Sequence, residues 1–154
     1  MKKMTKTIVL VAILGLFAIA SLPAADNSVL AGPVKLVYDH YLKIQADLAN
    51  DSLTGVAENA NAIATAVRGD ANALPTEVST QAEALTKAKD LRTARSEFER
   101  LSNSLIKYLA DHKAKDAYIE VYCPMARASW LQSNRNVNNP YFGPAMSGCG
   151  VIKE

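Results

Sequence analysis

Between Pro33 and about His112, apolar residues recur three and four positions apart, and no other feature restricts this chain as much. Val34, Val37, Tyr41, Ile44 and Leu48 form the first run, and Leu53, Val56, Ala60, Ile63 and Val67 form the second. A weaker third run holds Val78, Ala82 and Leu85. The fourth holds Leu91, Ala94, Phe98, Leu101, Leu105 and Tyr108. This alternation puts each run on one stripe of an α-helix. Four such helices with short connections predict an up-down four-helix bundle with shallow crossing angles. Tyr41, Ile44, Ile63, Leu85, Phe98, Leu101 and Leu105 are its expected core.

The boundary residues fit four segments. Gly32-Pro33 opens the first, with proline where a first turn tolerates it. Asn50-Asp51-Ser52 separates the first from the second and offers N-cap side chains. Gly69 suits a left-handed helix cap, and Pro75 opens the third segment. At Lys89-Asp90 the pattern leaves open whether the third and fourth segments are one bent helix.

Ahead of the bundle stands "MKKMTKTIVLVAILGLFAIASLPAADN". Lys2, Lys3 and Lys6 precede an apolar run from Ile8 to about Leu22, and small residues follow. This is the order of a secretory signal peptide, expected over residues 1–25, with Ala18-Ile19-Ala20 or Pro23-Ala24-Ala25 at the cleavage site. The run is shorter than the roughly 20 residues needed to span a bilayer. No cysteine ends it, so a lipid anchor is not expected.

The remainder, residues 33–154, is one domain's worth of chain. The full sequence of 154 residues has a formal net charge of +2, and loss of the three lysines takes it to about −1. A near-neutral chain without a basic stripe is not built for nucleic acid. No lipid-binding amphipathic segment follows the signal, so no membrane contact is expected after cleavage. Export also means an oxidising compartment, where two cysteines can pair.

After Lys115 the character changes. "AYIEVYC" alternates, with Ile119, Val121 and Cys123 on one side and Tyr118, Glu120 and Tyr122 on the other, as a strand does. "SWLQS" can pair back with it as a short β-hairpin. "NRNVNNPYFGPAMSGCG" is rich in Asn, Pro and Gly and reads as turns. The fold class is therefore mainly α, a bundle followed by a hairpin and an irregular tail over about residues 117–154.

That tail holds both cysteines, the single tryptophan and two of the four methionines. The sulfurs come in mirrored pairs, Cys123 with Met125 and Met146 with Cys149. If the tail folds back, four soft donors can converge. Thiolate and thioether sulfur select Cu(I), and related ions such as Ag(I), over hard cations. Zinc suits the set less well. A Cys123–Cys149 disulfide is the competing reading, closing a loop worth roughly 3 kcal/mol in the chain-entropy model. Met125 and Met146 would then be core filler. Trp130 is either a buried anchor or a ring face shielding a bound cation. Spacing alone does not choose between these readings.

His40 and His112 are lone histidines on or beside helices and read as surface or cap residues. His40 is a further candidate ligand if the tail packs at its end of the bundle. Arg95, Glu97, Glu99 and Arg100 read as a solvated helix face. There is no Ser-His-Asp pattern, phosphate loop or pair of carboxylates suited to catalysis. "GPAMSGCG" lacks the glycine spacing and following helix of a dinucleotide site. No enzymatic activity is expected.

"VYCPMA", "WLQS", "NPYFGPAM" and "CGVIKE" resemble the C-terminal signature of a periplasmic domain family of unknown function. Its members occur in Gram-negative bacteria, alone behind a signal peptide or appended to adaptor subunits of heavy-metal efflux systems. The resemblance covers about residues 33–154 and is most specific in the tail. It implies a small helical bundle in the periplasm, with Cys123, Met125, Met146 and Cys149 as candidate copper ligands. It further implies that Trp130 and the turn Asn139-Pro140-Tyr141-Phe142 shape the site.

The expectation is an exported protein that binds a soft metal, copper(I) first, and buffers it or passes it by ligand exchange to a periplasmic adaptor or another copper-handling partner. The alternative is a non-catalytic interaction domain stapled by a Cys123–Cys149 disulfide. Thiol–disulfide exchange is disfavoured, since there is no Cys-x-x-Cys motif.

Overall fold

The computed structural model describes residues 29–114 and 117–154. The expected signal peptide, residues 1–25, lies outside them. Four helices come first: α1 (Gly32–Ala49), α2 (Val56–Gly69), α3 (Thr76–Thr86) and α4 (Leu91–Asp111). Three strands follow, β1 (Ile119–Cys123), β2 (Ala128–Gln132) and β3 (Val151–Ile152), with a 3-10 turn at Gly143–Met146 before β3. Among the described residues, no helix is long and apolar enough to cross a membrane.

The three-four stripes are the faces the helices bury. All seven expected core residues are at most 3% exposed. Phe98 of α4 stacks on Tyr41 of α1, with ring centroids 4.8 Å apart. Each large apolar side chain removed from water contributes about 1.5–3 kcal/mol, so these stripes hold the bundle together. Leu53 and Leu91, at the ends of their runs, are only partly buried.

Several boundaries fall differently from the sequence expectation. Asn50, Asp51 and Ser52 do not cap α2. Asn50 instead closes α1, its side-chain amide donating to the Ala46 carbonyl at 2.9 Å. The N-cap of α2 is Gly55, left-handed at φ 80°, with no side-chain cap. Glycine is needed there because its backbone takes a left-handed φ that other residues adopt only with strain. Gly69 is not a left-handed cap; it stays in the helix, and Asp70 closes it. The third and fourth segments are separate helices. Asp90 begins α4 by accepting from the Thr93 backbone N–H at 2.8 Å and the Thr93 hydroxyl at 2.9 Å.

Each helix packs on its neighbour in sequence, while β2 packs on α4 and also touches α1. The sheet is antiparallel in the order β2-β1-β3. Val121 sits opposite Trp130 on one side and Ile152 on the other. β3 has only two residues and was not legible in the sequence. Its pairing to β1 brings the segment just before it against the end of β1, and this sets up the site.

Candidate sulfur site

Alternation along β1 turns Val121 and Cys123 inward, and both are fully buried. The chain returns to Cys123 through the 3-10 turn, after which the Cys149 backbone N–H donates to the Met146 carbonyl at 3.0 Å. Gly150 and β3 then fix Cys149. A β-carbon on Gly150 would stand 2.6 Å from Val121 Cγ1 and 2.8 Å from Trp130 Cη2, so only glycine lets the backbone lie so close.

Both cysteines are free, Cys123 buried and Cys149 partly exposed. The Cys149 thiol faces Cys123 and donates to its sulfur. Burial works against ionising Cys123. The donors that converge on it outweigh burial: the Cys149 thiol, the Ala126 and Met125 backbone N–H groups and the Asn139 amide. The Ala126 nitrogen is 3.5 Å from the sulfur. The Cys123 thiol is therefore held below the usual thiol range. Cys149 is pushed above it, first because it donates to Cys123 and then by burial. The two shifts run in opposite directions, so Cys123 gives up its proton more readily than Cys149 does.

The methionines are not core filler. Met125 is 67% exposed and Met146 is 38% exposed. The Met125 backbone N–H is directed at both cysteine sulfurs, and the Met146 carbonyl holds the Cys149 backbone.

The other expected residues support the site from beneath. Trp130 is fully buried, and its indole N–H donates to Gln132 Oε1 at 3.1 Å. Its ring lies against Gly150, making it a core anchor next to Cys149. Asn139 is fully buried and is the centre of the tail. Its Nδ2 donates to the Cys149 carbonyl at 2.6 Å, and its Oδ1 accepts from the Tyr141 and Phe142 backbone N–H groups. Its own backbone N–H donates to the Ser147 carbonyl, and its carbonyl accepts from Gly143. Tyr141 donates from its hydroxyl to the Ser129 carbonyl at 2.7 Å and meets Trp130 edge-on. Burial raises the Tyr141 phenol well above its ordinary value, so it stays neutral. Phe142 packs against the core. Pro140 presents its carbonyl to Arg95 Nε at 2.7 Å.

His40 is engaged elsewhere, paired with Asn59 Oδ1 at 2.8 Å between α1 and α2. Among the described residues, no three His, Cys, Asp or Glu side chains form a metal-holding group. His40 therefore does not join the two cysteines. A metal at this place would depend on two thiolates and the thioethers.

Sequence reasoning missed the residues that fasten the tail to the bundle. Arg95 belongs to no solvated face, since its side chain is 18% exposed. Besides Pro140 it reaches the Leu48 carbonyl at 3.0 Å and Asp51, joining α4, the end of α1 and the tail. Gly143, at φ 60°, passes over this ion pair where any β-carbon would strike Asp51. Gln45 donates to the Asn138 carbonyl at 2.6 Å. Tyr41 accepts from the Leu131 N–H at 3.0 Å and pairs with the Ser102 hydroxyl. The one signal for these contacts was polar residues bordering an apolar stripe.

A surface groove of about 730 Å³ lies between the α2–α3 connection and the end of α4. It is lined by Leu74, Pro75, Tyr108 and His112 among others, and no sulfur borders it.

A mainly α domain carrying a paired-thiol tail is the class of protein that this fold and site define. Residues 37–117 match a family described as a protein of unknown function (DUF3347), and the chain belongs to that family. The match spans the bundle from the middle of α1 and stops before β1, so the sulfur-bearing tail lies outside it. No curated protein matches the chain, and no solved structure does.

Proposed function

We propose that the protein binds a soft metal ion, copper(I) first, through Cys123 and Cys149 with Met125 and Met146, and passes it on by ligand exchange. One observation carries this reading: two reduced cysteines from opposite ends of the tail meet, and an exposed methionine stands in sequence beside each. Thiolate and thioether donors are those that Cu(I) prefers. The converging N–H donors favour the anionic form of Cys123, the form that ligates metal. Binding would release the thiol protons of both cysteines. The exposed thioethers would be the exchangeable donors, displaced by sulfur from a partner while the thiolates still hold the ion. An exported protein of this kind would buffer copper in the periplasm or deliver it to an efflux adaptor or another copper-handling protein. Bound metal would undergo no bond chemistry, and no enzymatic step is part of the reading.

A Cu(I) titration against a chromogenic chelator tests it, using reduced wild type, Cys123→Ser and a Met125→Leu/Met146→Leu double variant. Leucine keeps nearly the volume of methionine, and both sites are exposed, so the fold should persist. Tight competition by the wild type, lost in the serine variant and weakened in the leucine variant, is the expected result. Equal weak competition by all three overturns the copper reading.

The facing of the two thiols also favours a second reading, in which a Cys123–Cys149 disulfide staples a non-catalytic interaction domain. Protein isolated from the periplasm with no free thiol and no copper would establish that reading instead.

A further inference from the structure

We propose that Cys123 and Cys149 form a reversible dithiol–disulfide couple that exchanges electrons with external disulfides, with Cys149 as the sulfur that attacks first. The pairing of β3 with β1, Tyr122 opposite Val151, sets Cys149 beside the end of β1 and next to Cys123, so the fold already supplies the proximity that closure needs. Their surroundings differ in the way such a couple requires. Cys123 is enclosed between β1, β2 and the tail, with 0% of its surface exposed, whereas Cys149 is partly open to solvent. Gly148, on the other side of Cys149 from β3, has no atom close to where a β-carbon would stand. The sulfur that cannot be reached is the one surrounded by backbone N–H donors.

The chemistry follows from that asymmetry. Cys149 loses its proton to solvent and attacks one sulfur of a disulfide R–S–S–R, forming Cys149–S–S–R and releasing one thiolate. Cys123 then loses its proton and attacks the Cys149 sulfur. The Cys123–Cys149 bond forms, and the second R–S⁻ leaves. Each released thiolate takes up one of the two protons given up by the cysteines. Two cysteine thiols are oxidised to one disulfide, and one external disulfide is reduced to two thiols. The oxidant is a low-molecular-weight or protein disulfide. No Cys-x-x-Cys motif is needed, because β3 pairing with β1 supplies the proximity that adjacent positions supply in such motifs.

This inference stands on the thiol pair and not on metal, so it is tested on metal-free full-length protein. If the site also takes copper, oxidation removes both thiolate donors and releases the ion. The experiment is equilibration of the purified reduced chain in mixtures of reduced and oxidised glutathione, followed by acid quench, alkylation and mass spectrometry. Loss of both free thiols in one step, reversed by reduced glutathione, is expected. A brief exposure to oxidised glutathione should place the mixed disulfide on Cys149 in wild type, and it should accumulate there in Cys123→Ser. Peptide mapping of the wild type keeps the test sound if the serine variant folds poorly. Two results would overturn the proposal: stable glutathione adducts without an internal disulfide in wild type, or first adducts on Cys123. A failed copper titration leaves this outcome unaffected, and a failed redox titration leaves the copper titration unaffected.

Discussion

In the helical part of the molecule, burial is achieved by repetition: Ile44, Ile63, Leu85 and Leu101 interlock through interchangeable apolar surface. In the tail, each buried polar group has its own partner. Asn139 alone satisfies the Cys149 carbonyl and two backbone N–H groups, and Arg95 holds two carbonyls and a carboxylate. Apolar packing is non-directional and tolerates exchange of similar side chains. A buried donor or acceptor left without a partner costs about 1–3 kcal/mol. The bundle can therefore drift in sequence as long as its period survives, while the tail cannot change one hydrogen-bonding residue without exposing a deficit. This accounts for a site built on the tail: directional bonds hold two sulfurs in register.

Breaking the bundle should give the largest effect. Phe98→Ala removes a fully buried ring that stacks on Tyr41 and also meets Tyr141. It should destabilise the protein by about 3–5 kcal/mol in a denaturant titration. A loss under about 1 kcal/mol would refute its place at the centre of the core.

Arg95→Met separates the two regions. It keeps the aliphatic stem but leaves the Pro140 and Leu48 carbonyls without their charged donor, at a cost of about 1.5–3 kcal/mol. Amide exchange should speed up at Asn139, Tyr141 and Phe142 while α2 and α3 stay protected. Equal loosening of α2 would mean that bundle and tail are one cooperative unit.

Gly150→Ala acts on the sulfur pair itself. Its β-carbon overlaps Val121 and Trp130, an overpacking worth about 1–3 kcal/mol. Displacing Cys149 should slow formation of the internal disulfide in oxidised glutathione. Closure at the wild-type rate would show that β3 does not position Cys149.

The smallest effect concerns the start of α4. The Thr93 backbone N–H, then its hydroxyl, holds the Asp90 carboxyl below the ordinary aspartate range. A folded pKa below the unfolded one stabilises the protein above the unfolded value, and that gain is lost as pH falls through the folded value. In an Asp90→Asn variant the side-chain amide oxygen still caps the helix, but the position no longer titrates. The margin of wild type over this variant should shrink on acidification below the carboxylate range, read from thermal unfolding. A margin independent of pH would remove the carboxylate from the account.

The same contrast explains what could be read in advance. The helices were legible because burying a helix face demands a repeating pattern, and all four stripes carry one. β1 was legible from alternation around Val121, and β2 as a short segment able to pair back with it. β3 has too few residues to show a period. The cap of α2 was misplaced because Asn50, Asp51 and Ser52 signal a turn without saying which helix they serve, and the left-handed backbone at Gly55 is what starts the helix. Arg95 was read as solvated because its partners are carbonyls at Pro140 and Leu48, and any residue supplies a carbonyl. The sulfurs were conspicuous by type. Their meeting rests on Gly150 and β3, whose roles depend on neighbours far away in the chain.

The place of Trp130 turns the protein into its own instrument. It is the only tryptophan in the chain, fully buried, with its ring against Gly150 and therefore one residue from Cys149. Indole emission from this protein arises at a single point, at the back of the sulfur pair. Closing a disulfide there, or seating a heavy ion, places a quencher beside the only emitter, so the state of the site can be followed by light without a label.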